Sequence, residues 1–158
     1  MAGLRPRTFV WVMAERLAVS ERVGGYGVHH RRVRREEEVT WLKEAGINTV
    51  ISLLAGNQNF ASYRAAGFRI YHRPLVGEFE PEEVRLVFAT IHEALSDPAA
   101  KVLLHRDIID DTVAGVLAGY LMYAGLVTEP IVALAAIQQI IGRPMGPEGR
   151  RLLPVQTG

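Results

Sequence analysis

Short apolar segments that alternate with segments of helical periodicity constrain the fold of this chain more than any other feature. The apolar segments are 47–54 (INTVISLL), 68–72 (FRIYH) and 102–104 (VLL). Each has the length of a strand and is mostly apolar, which is typical of parallel strands whose sheet is buried on both faces. Helices then cover both faces of that sheet. The sequence predicts an α/β fold with a central, mainly parallel sheet flanked by helices, in a single domain over residues 1–158.

The other elements are predicted from helical spacing and from residues that begin or end helices. Predicted helices cover 34–45, 57–66, a segment from Pro81 to a stop at Asp97 and Pro98, a long segment from residue 112, and 131–141. Glu36, Glu37 and Glu38 favour the first turn of the first helix, because carboxylates there complement the helix dipole. Residues 9–13 and 16–18 predict an opening strand or hairpin. The closing segment GRPMGPEGRRLL is rich in glycine and proline.

Composition excludes several classes of protein. The 158 residues include 18 Lys and Arg against 17 Asp and Glu, so the chain is not a broadly basic nucleic-acid binder. There are no cysteines, which excludes disulfides, thiolate metal sites and a cysteine nucleophile. The longest apolar run, 113–127, is about 15 residues, whereas a membrane span needs about 20. Charges also interrupt the N-terminal apolar run too early for a signal peptide, so we expect no membrane span and a cytoplasmic location.

The segment 102–122 (VLLHRDIIDDTVAGVLAGYLM) has the layout of a phosphate-binding loop. A buried strand leads into a tight loop that opens at His105, and a helix rich in small and apolar residues follows. The small residues of this helix, among them Gly115 and Gly119, most simply allow close packing under the sheet. Ligands of parallel sheets bind beyond the carboxyl ends of the strands, and this loop lies at such an end. We therefore expect the functional site here.

This segment resembles the His-Cys-x-x-Gly-x-x-Arg loop of the cysteine-dependent tyrosine and dual-specificity phosphatases. His105 stands at the family's histidine, Arg106 at the nucleophilic cysteine, Ile109 at the loop glycine and Thr112 at the phosphate-binding arginine. Other segments are similar to the compact dual-specificity group in the same order: FVWVMAERLAVS, EEEVTWLKEAGINTVISLL, PLVGEFEP, VAGVLAGYLM and GRPMGPEG. The resemblance covers residues 9–153 and implies the phosphatase fold.

The resemblance places the family's catalytic groups at positions where this chain holds other residues. A cysteine attacks phosphorus in the family, but Arg106 cannot attack, because its guanidinium stays protonated and offers no lone pair. Thr112 is short and neutral and cannot clamp two phosphoryl oxygens as an arginine does. The family's general acid corresponds to Gly77, and the adjacent Glu78 could replace that acid but would have no nucleophile to assist. Ile109 lacks the conformational freedom of the loop glycine.

Three acidic residues, Asp107, Asp110 and Asp111, lie in or beside the loop that would receive a phosphate dianion. Two unit charges about 5 Å apart repel by about 3 kcal/mol at an effective dielectric constant near 20, and a dianion doubles this repulsion. Arg106 can offset only one of the carboxylates. We therefore expect a catalytically inactive, phosphatase-like binding or scaffold domain.

Two structural interpretations of the acidic loop remain open. Asp110, Asp111 and Thr112 are residue types preferred at the N-cap of a helix, where carboxylates complement the dipole. In the second interpretation, a loop carboxylate occupies the position of the substrate phosphate and accepts hydrogen bonds from the same N–H groups. Arg106 would then pair with a neighbouring aspartate or with Glu78.

A site for a hard cation is the alternative function. His105, Asp107, Asp110 and Asp111 place four ligand groups within seven residues, and Mg²⁺ or Ca²⁺ favours carboxylate oxygens. A metal held by Asp107, Asp110 and Asp111 could activate water against a phosphoester, although the spacing matches no metal motif that we recognise. Otherwise no cofactor is expected. His105 by itself is better interpreted as a partly buried histidine that hydrogen-bonds the loop backbone than as a ligand or a base.

The basic stretch 29–35 (HHRRVRR) is the main charge cluster of the chain. It could bind phosphate groups on RNA, on a phospholipid or on a phosphorylated partner. The favoured interpretation is a solvated segment neutralised by Glu36, Glu37 and Glu38. No interleaved aromatic residues indicate a surface for base stacking, so a nucleic-acid partner is not expected. A protein or a phospho-ligand is the predicted partner, and the sequence leaves its identity and the oligomeric state open.

Overall fold

The structure is a computed structural model, and it describes residues 4–25, 32–57, 59–77 and 79–153. A five-stranded sheet organises this part of the chain. Its strands are β1 (Val10–Met13), β2 (Leu17–Glu21), β3 (Thr49–Ser52), β4 (Arg69–His72) and β5 (Val102–Arg106). The spatial order is β1-β2-β5-β3-β4, with β1 antiparallel to β2 and the other neighbours parallel. The predicted α/β fold with a mainly parallel sheet is confirmed.

Helices flank this sheet. In the described residues they are α1 (Arg32–Glu44), α2 (Phe60–Ala65), α3 (Pro81–Leu95), α4 (Asp111–Tyr123), α5 (Pro130–Ile141) and α6 (Pro147–Arg150). Proline in the first turn of α3, α5 and α6 is favourable, because its missing N–H would lack a partner there in any case. Since α1 begins at Arg32, its first turn holds no acidic residue. The prediction that Glu36, Glu37 and Glu38 occupy that turn is wrong.

Helix α6 lies in the closing segment, for which the sequence indicated only a richness in glycine and proline. It packs against α4, where a Cβ atom built on Gly115 would overlap backbone atoms of Gly149. A Cβ atom on Gly119 would instead meet the ring of Phe88, on α3. Gly115 and Gly119 therefore allow close packing of α4 against α6 and α3, whereas Ala114 and Ala118 belong to the core that α4 shares with the sheet.

Side chains of the strands alternate between two cores on opposite faces of the sheet. On β5, Leu104 belongs to a larger core with residues of α3, α4 and α5, whereas Leu103 belongs to a smaller core with residues of α1 and α2. On β2, Val19 faces the larger core and Ala18 the smaller one. The period of two along a strand produces this division. Because both faces are covered, the edge formed by the strand ends remains for a ligand site.

The longest apolar run of the sequence contributes to α4, a helix of 13 residues. A membrane-spanning helix needs about 20 residues. Among the residues that the structure describes, no helix is long and apolar enough to cross a membrane.

Candidate functional site at the carboxyl edge of the sheet

The loop between β5 and α4, residues 107–110, lies at the carboxyl edge of the sheet. β5 is the central strand, with β2 on one side and β3 on the other, so the ends of three parallel strands meet at this edge. In the register, His105 lies between Ser20 of β2 and Ser52 of β3. The loop is therefore where parallel sheets generally bind ligands.

Asp110 is the N-cap residue of α4. Its backbone is extended, with φ −104° and ψ −170°, and its Oδ1 atom accepts a hydrogen bond of 3.1 Å from the amide of Val113. The first amides of a helix lack partners within the helix, and a cap carboxylate satisfies one of them while it complements the helix dipole. The capping interpretation is thus confirmed at Asp110, and Asp111 and Thr112 lie in the first turn of α4. The Asp110 carboxylate binds this one amide rather than the several loop amides that occupation of a phosphate position requires.

Arg106 connects this cap to a second loop. Its Nη1 atom donates to Oδ2 of Asp110 at 2.8 Å, and its Nη2 atom donates to the carbonyl oxygen of Leu75 at 2.8 Å. The side chains of Arg106 and Asp110 are 18% and 32% exposed, so water and salt screen this pair less than a pair on the open surface. The predicted pairing of Arg106 with a neighbouring aspartate is confirmed. Asp110 uses one oxygen for the helix and the other for Arg106.

The two other loop carboxylates face arginines from distant parts of the chain. Oδ1 of Asp111 lies 3.0 Å from Nη2 of Arg143, whose Nη1 atom also donates to the carbonyl oxygen of Ile109 at 2.9 Å. Oδ1 of Asp107 lies 3.7 Å from Nη1 of Arg22, which is an ion pair without a hydrogen bond. Each of the three aspartates thus has its own guanidinium group.

This arrangement does not bring together a set of ligands for the hard cation that the alternative function requires. In the described residues, no group of three or more His, Cys, Asp or Glu side chains is placed to hold a metal ion. Asp107, Asp110 and Asp111 are directed to arginines on different elements instead of to a common point. A divalent cation such as Ca²⁺ needs about six to eight oxygens within about 2.6 Å.

His105 is fully buried and contacts a tyrosine of α2. Its Nε2 atom lies 3.3 Å from the hydroxyl oxygen of Tyr63, and its Nδ1 atom is buried without a hydrogen-bond partner. Burial, and after it the positive charge of Arg22, lower the pKa of His105 to about 3, so the ring is neutral at pH 7. His105 is thus an interior histidine, as predicted, but it is fully rather than partly buried, and it contacts a tyrosine rather than the loop backbone. A neutral, enclosed imidazole supports the end of β5 and cannot reach a ligand.

Ile109 and Gly77 stand where the resemblance places a loop glycine and a general acid. Ile109 is 8% exposed and belongs to the larger core, so its side chain anchors the loop to the protein interior. Gly77 has a φ of +60°, which glycine adopts at little cost, and a Cβ atom built there would meet nothing within 4 Å. Glu78 lies outside the described residues.

The basic stretch 29–35 is described from its fourth residue onward. Nε of Arg32 lies 3.2 Å from a carboxylate oxygen of Glu36, and Nε of Arg34 lies 2.8 Å from one of Glu38. The prediction that glutamates at helical spacing neutralise the stretch is confirmed for these two arginines. Glu38 is fully buried, and this burial raises its pKa, although backbone and arginine contacts oppose the rise.

Sequence reasoning missed four residues that build the site. They are Arg22, Tyr63, Leu75 and Arg143. The last three lie 42, 31 and 34 positions from the residues that they contact, and no local pattern marks such distant pairs. The available signals concerned Leu75 and Arg143, which belong to the matched segments PLVGEFEP and GRPMGPEG.

The strand order and the loop before α4 define a phosphatase-like α/β fold, that of dual-specificity and tyrosine phosphatase structures. A kinase-associated phosphatase with its catalytic cysteine changed to serine has a TM-score of 0.72 and 17% identity, over 92% of this chain and 91% of that one. Human DUSP28 has a TM-score of 0.64 and 18% identity, over 94% and 90%. TpbA of P. aeruginosa, in complex with pTyr, has a TM-score of 0.65 and 18% identity, over 89% and 79%. No protein-family model and no curated protein matches the chain by sequence, so the similarity is one of fold.

Proposed function

We propose that this chain is a catalytically inactive, phosphatase-like domain that acts as a binding or scaffold module. One observation carries the proposal: Arg106, at the position that resembles the nucleophile, is bonded to Asp110, and Asp110 caps the helix at whose N-terminus a phosphate would bind. A guanidinium group has no lone pair with which to attack phosphorus. The residue that would begin the reaction is thus one half of an internal ion pair.

The capping carboxylate also opposes the entry of a phosphate. A unit charge and a dianion about 5 Å apart repel by about 6 kcal/mol at an effective dielectric constant near 20. Arg106 offsets part of this repulsion, but it is already engaged by Asp110 and by Leu75. Thr112 adds no charge at the position of the clamp arginine. Loss of one positioned donor alone typically lowers a rate by about a hundred- to a thousandfold.

The proposal includes a cytoplasmic location and a protein partner. The chain has no cysteine, so its stability does not depend on disulfides formed in an oxidising compartment. A nucleic-acid partner is not part of the proposal, because Arg32 and Arg34 are paired with glutamates of their own helix. A phospho-ligand such as the phosphotyrosine bound by TpbA would first have to displace Asp110 from Arg106.

An assay of turnover tests the proposal directly. The purified chain is expected to release no phosphate from p-nitrophenyl phosphate or from a phosphotyrosine peptide, with or without Mg²⁺, Ca²⁺ or Mn²⁺. Metal-dependent turnover that disappears in an Asp110→Ala, Asp111→Ala double variant would establish the metal-dependent hydrolase and overturn the proposal.

A binding measurement tests the role of the ion pair. Tungstate should not raise the unfolding midpoint of the wild-type chain through this loop. Asp110→Asn keeps a good capping residue but removes the negative charge and frees Arg106, so we expect tungstate to stabilise this variant. A ligand at a hundredfold excess over its dissociation constant adds about 2.7 kcal/mol. Glu82→Gln, which removes a carboxylate from an exposed pair with Arg85, is the matched control.

Tungstate that stabilises the wild-type chain and the control equally, and that loses this effect in Arg106→Ala, would show that the loop still accepts an oxyanion. The domain would then bind phosphorylated ligands, and the proposal that the Arg106–Asp110 pair keeps an oxyanion out of the loop would be wrong.

A further inference from the structure

Two arginines beside the smaller core have a buried Nε atom with no hydrogen-bond acceptor in the described part of the chain. Arg22 directly follows β2, and its side chain is only 15% exposed. Arg35 is a half-buried residue in the first half of α1. Buried polar groups in proteins are normally hydrogen-bonded, and a charged donor without an acceptor is especially unfavourable. The two guanidinium groups therefore need an acceptor that the described residues do not supply.

Contacts between β2 and α1 bring these two arginines to the same place. The amide of Gly24, two residues after Arg22, donates to Oε1 of Glu38 at 3.2 Å. Glu38 lies three residues after Arg35, so the two side chains are neighbours on one side of α1. This bond therefore holds the part of α1 that carries Arg35 against the segment that follows β2. Burial raises the pKa of Tyr63, and the positive charges of both arginines are among the influences that oppose this rise.

The carboxylates near these arginines leave one positive charge unbalanced. Glu38 is fully buried and accepts a hydrogen bond of 2.8 Å from Nε of Arg34. Oδ1 of Asp107 lies 3.7 Å from Nη1 of the arginine that follows β2. Among the described residues, Arg35 forms no ion pair, and residues 26–31, which lie outside them, include no Asp or Glu. An anion from outside the chain is the acceptor that fits this charge.

We propose that Arg22 and Arg35 bind a phosphate group between them. The planar fork of a guanidinium group matches two oxygens of an oxyanion, so one arginine is enough for a planar carboxylate. A tetrahedral phosphate has further oxygens outside that plane and can accept hydrogen bonds from a second fork on a different element. Asp107 lies at Nη1 of Arg22, so the Nε edge of that guanidinium group is left for the ligand. Inorganic phosphate and a phosphate group on a partner protein offer the same chemistry.

The proposed site lies on the opposite face of the sheet from the Arg106–Asp110 pair. On β5, His105 points to the side of the smaller core, where it contacts Tyr63. The next residue, Arg106, points to the other side and bonds the carbonyl oxygen of Leu75, which belongs to the larger core. A phosphate between the two free arginines therefore does not have to displace Asp110. It binds whether or not the loop before α4 is closed, so the site is independent of the proposed function.

Isothermal titration calorimetry with inorganic phosphate tests the site, on the full chain and at constant ionic strength. Arg35→Gln removes the charge that has no carboxylate, and we expect it to raise the dissociation constant at least about tenfold, the usual effect of losing a hydrogen bond to a charged group. Arg22→Lys keeps the charge but loses the planar fork, so it should weaken binding as well. Arg32→Gln is the matched control, because it removes the same charge from an 82% exposed position of the same helix. Circular dichroism verifies that all variants are folded.

A wild-type chain that does not bind phosphate overturns the proposal, as does binding that is equally strong in Arg35→Gln and Arg32→Gln. Acetate that binds as tightly as phosphate would overturn the assignment of a tetrahedral ligand. A peptide with one phosphoserine distinguishes the two sources of the phosphate. If the peptide binds at least about tenfold more tightly than inorganic phosphate and Arg35→Gln removes this difference, the phosphate belongs to a partner protein. Equal affinities that both depend on Arg35 indicate the free ion, and either result supports the site.

The same measurements separate this site from the proposed function. Phosphate binding that is lost in Arg106→Ala but kept in Arg35→Gln would place the anion in the loop before α4. That result would overturn the site at Arg22 and Arg35 and would show that the Arg106–Asp110 pair does not keep an oxyanion out. Turnover of a phosphoester, together with phosphate binding that still depends on Arg35, would overturn the proposed function alone. Absence of both turnover and phosphate binding would overturn only the site.

Discussion

At the scale of single residues, arginines hold the loop before α4 by binding a carboxylate and a backbone carbonyl at once. Arg106 bonds Asp110 and the carbonyl oxygen of Leu75, and Arg143 bonds Asp111 and the carbonyl oxygen of Ile109. The planar fork of arginine can serve two acceptors in fixed directions, whereas lysine presents a single point charge. Internal pairs therefore hold the loop in the shape that the structure shows.

His105 gives the fold a dependence on pH that can be assigned to one residue. Its pKa is lowered to about 3 by burial and by the charge of Arg22, whereas the pKa of an unfolded histidine is about 6.5. Below about pH 6.5 the histidine is protonated in the unfolded chain but not in the folded chain. The contribution of His105 to the free energy of unfolding is therefore fully present above that pH and is lost as the pH falls towards 3. Between about pH 6 and pH 4, we expect the free energy of unfolding to fall by about 1 kcal/mol more per pH unit in the wild type than in His105→Gln.

Urea unfolding at a series of pH values measures the two slopes. His92→Gln changes a histidine at an exposed position of α3 and should reproduce the wild-type slope. Equal slopes for the wild type and His105→Gln would contradict the assignment, whatever the difference in their absolute stability.

At the scale of elements, the contact between α4 and α6 requires glycine on both sides. We expect Gly115→Ala to destabilise the chain, because the new Cβ atom would overlap the backbone of Gly149 and α6 would have to move. Overpacking of this kind costs about 1–3 kcal/mol, which exceeds the gain of about 1 kcal/mol from replacing glycine by alanine in a helix. Gly119→Ala meets mainly the far end of the Phe88 ring, a side chain that can shift, so we expect a smaller loss.

Thermal unfolding compares the two alanine variants. In a chain of this size, 1 kcal/mol lowers the midpoint by about 2–4 °C. The order of the midpoints is the decisive result. We expect Gly115→Ala to unfold at a lower temperature than Gly119→Ala. The reverse order would mean that α6 can withdraw from α4 at little cost.

At the scale of the whole molecule, the sheet joins two cores, and we expect them to unfold together because they share the same strands. Leu103 and Leu104 are neighbours on β5 and are both fully buried, but they face different cores. We expect Leu103→Ala and Leu104→Ala each to lower the free energy of unfolding by about 2–5 kcal/mol, the usual cost of a cavity in a core. Leu86→Ala, at an exposed position, should cost less than about 0.5 kcal/mol.

Urea unfolding followed by tryptophan fluorescence and by circular dichroism provides the measurement. Because Leu103 and Leu104 share one strand, both probes should give the same midpoint in each variant. Separate transitions for the two probes would show that the cores unfold independently.

The sequence alone predicted the mainly parallel sheet, the order of its strands and of helices α1 to α5 along the chain, and the loop at the carboxyl edge, but not helix α6. These features depend on local periodicity and on the residues that begin and end helices, and both can be read in windows of about ten to twenty residues. The sequence also showed that Arg106 and Thr112 stand where the resemblance places a cysteine and an arginine, because the identity of a residue is given directly by the sequence.

Only the tertiary structure decided how the charges of the site are matched and what His105 contacts. The partners of Arg106, Asp111 and His105 include Leu75, Arg143 and Tyr63, which lie 31, 32 and 42 positions away. Each of the loop aspartates could have paired with several arginines, and nothing local distinguishes among them. The choice follows from where the sheet and the two cores bring the ends of β2, β5 and α5, since ion pairs and hydrogen bonds form over a few ångströms in space and not along the chain.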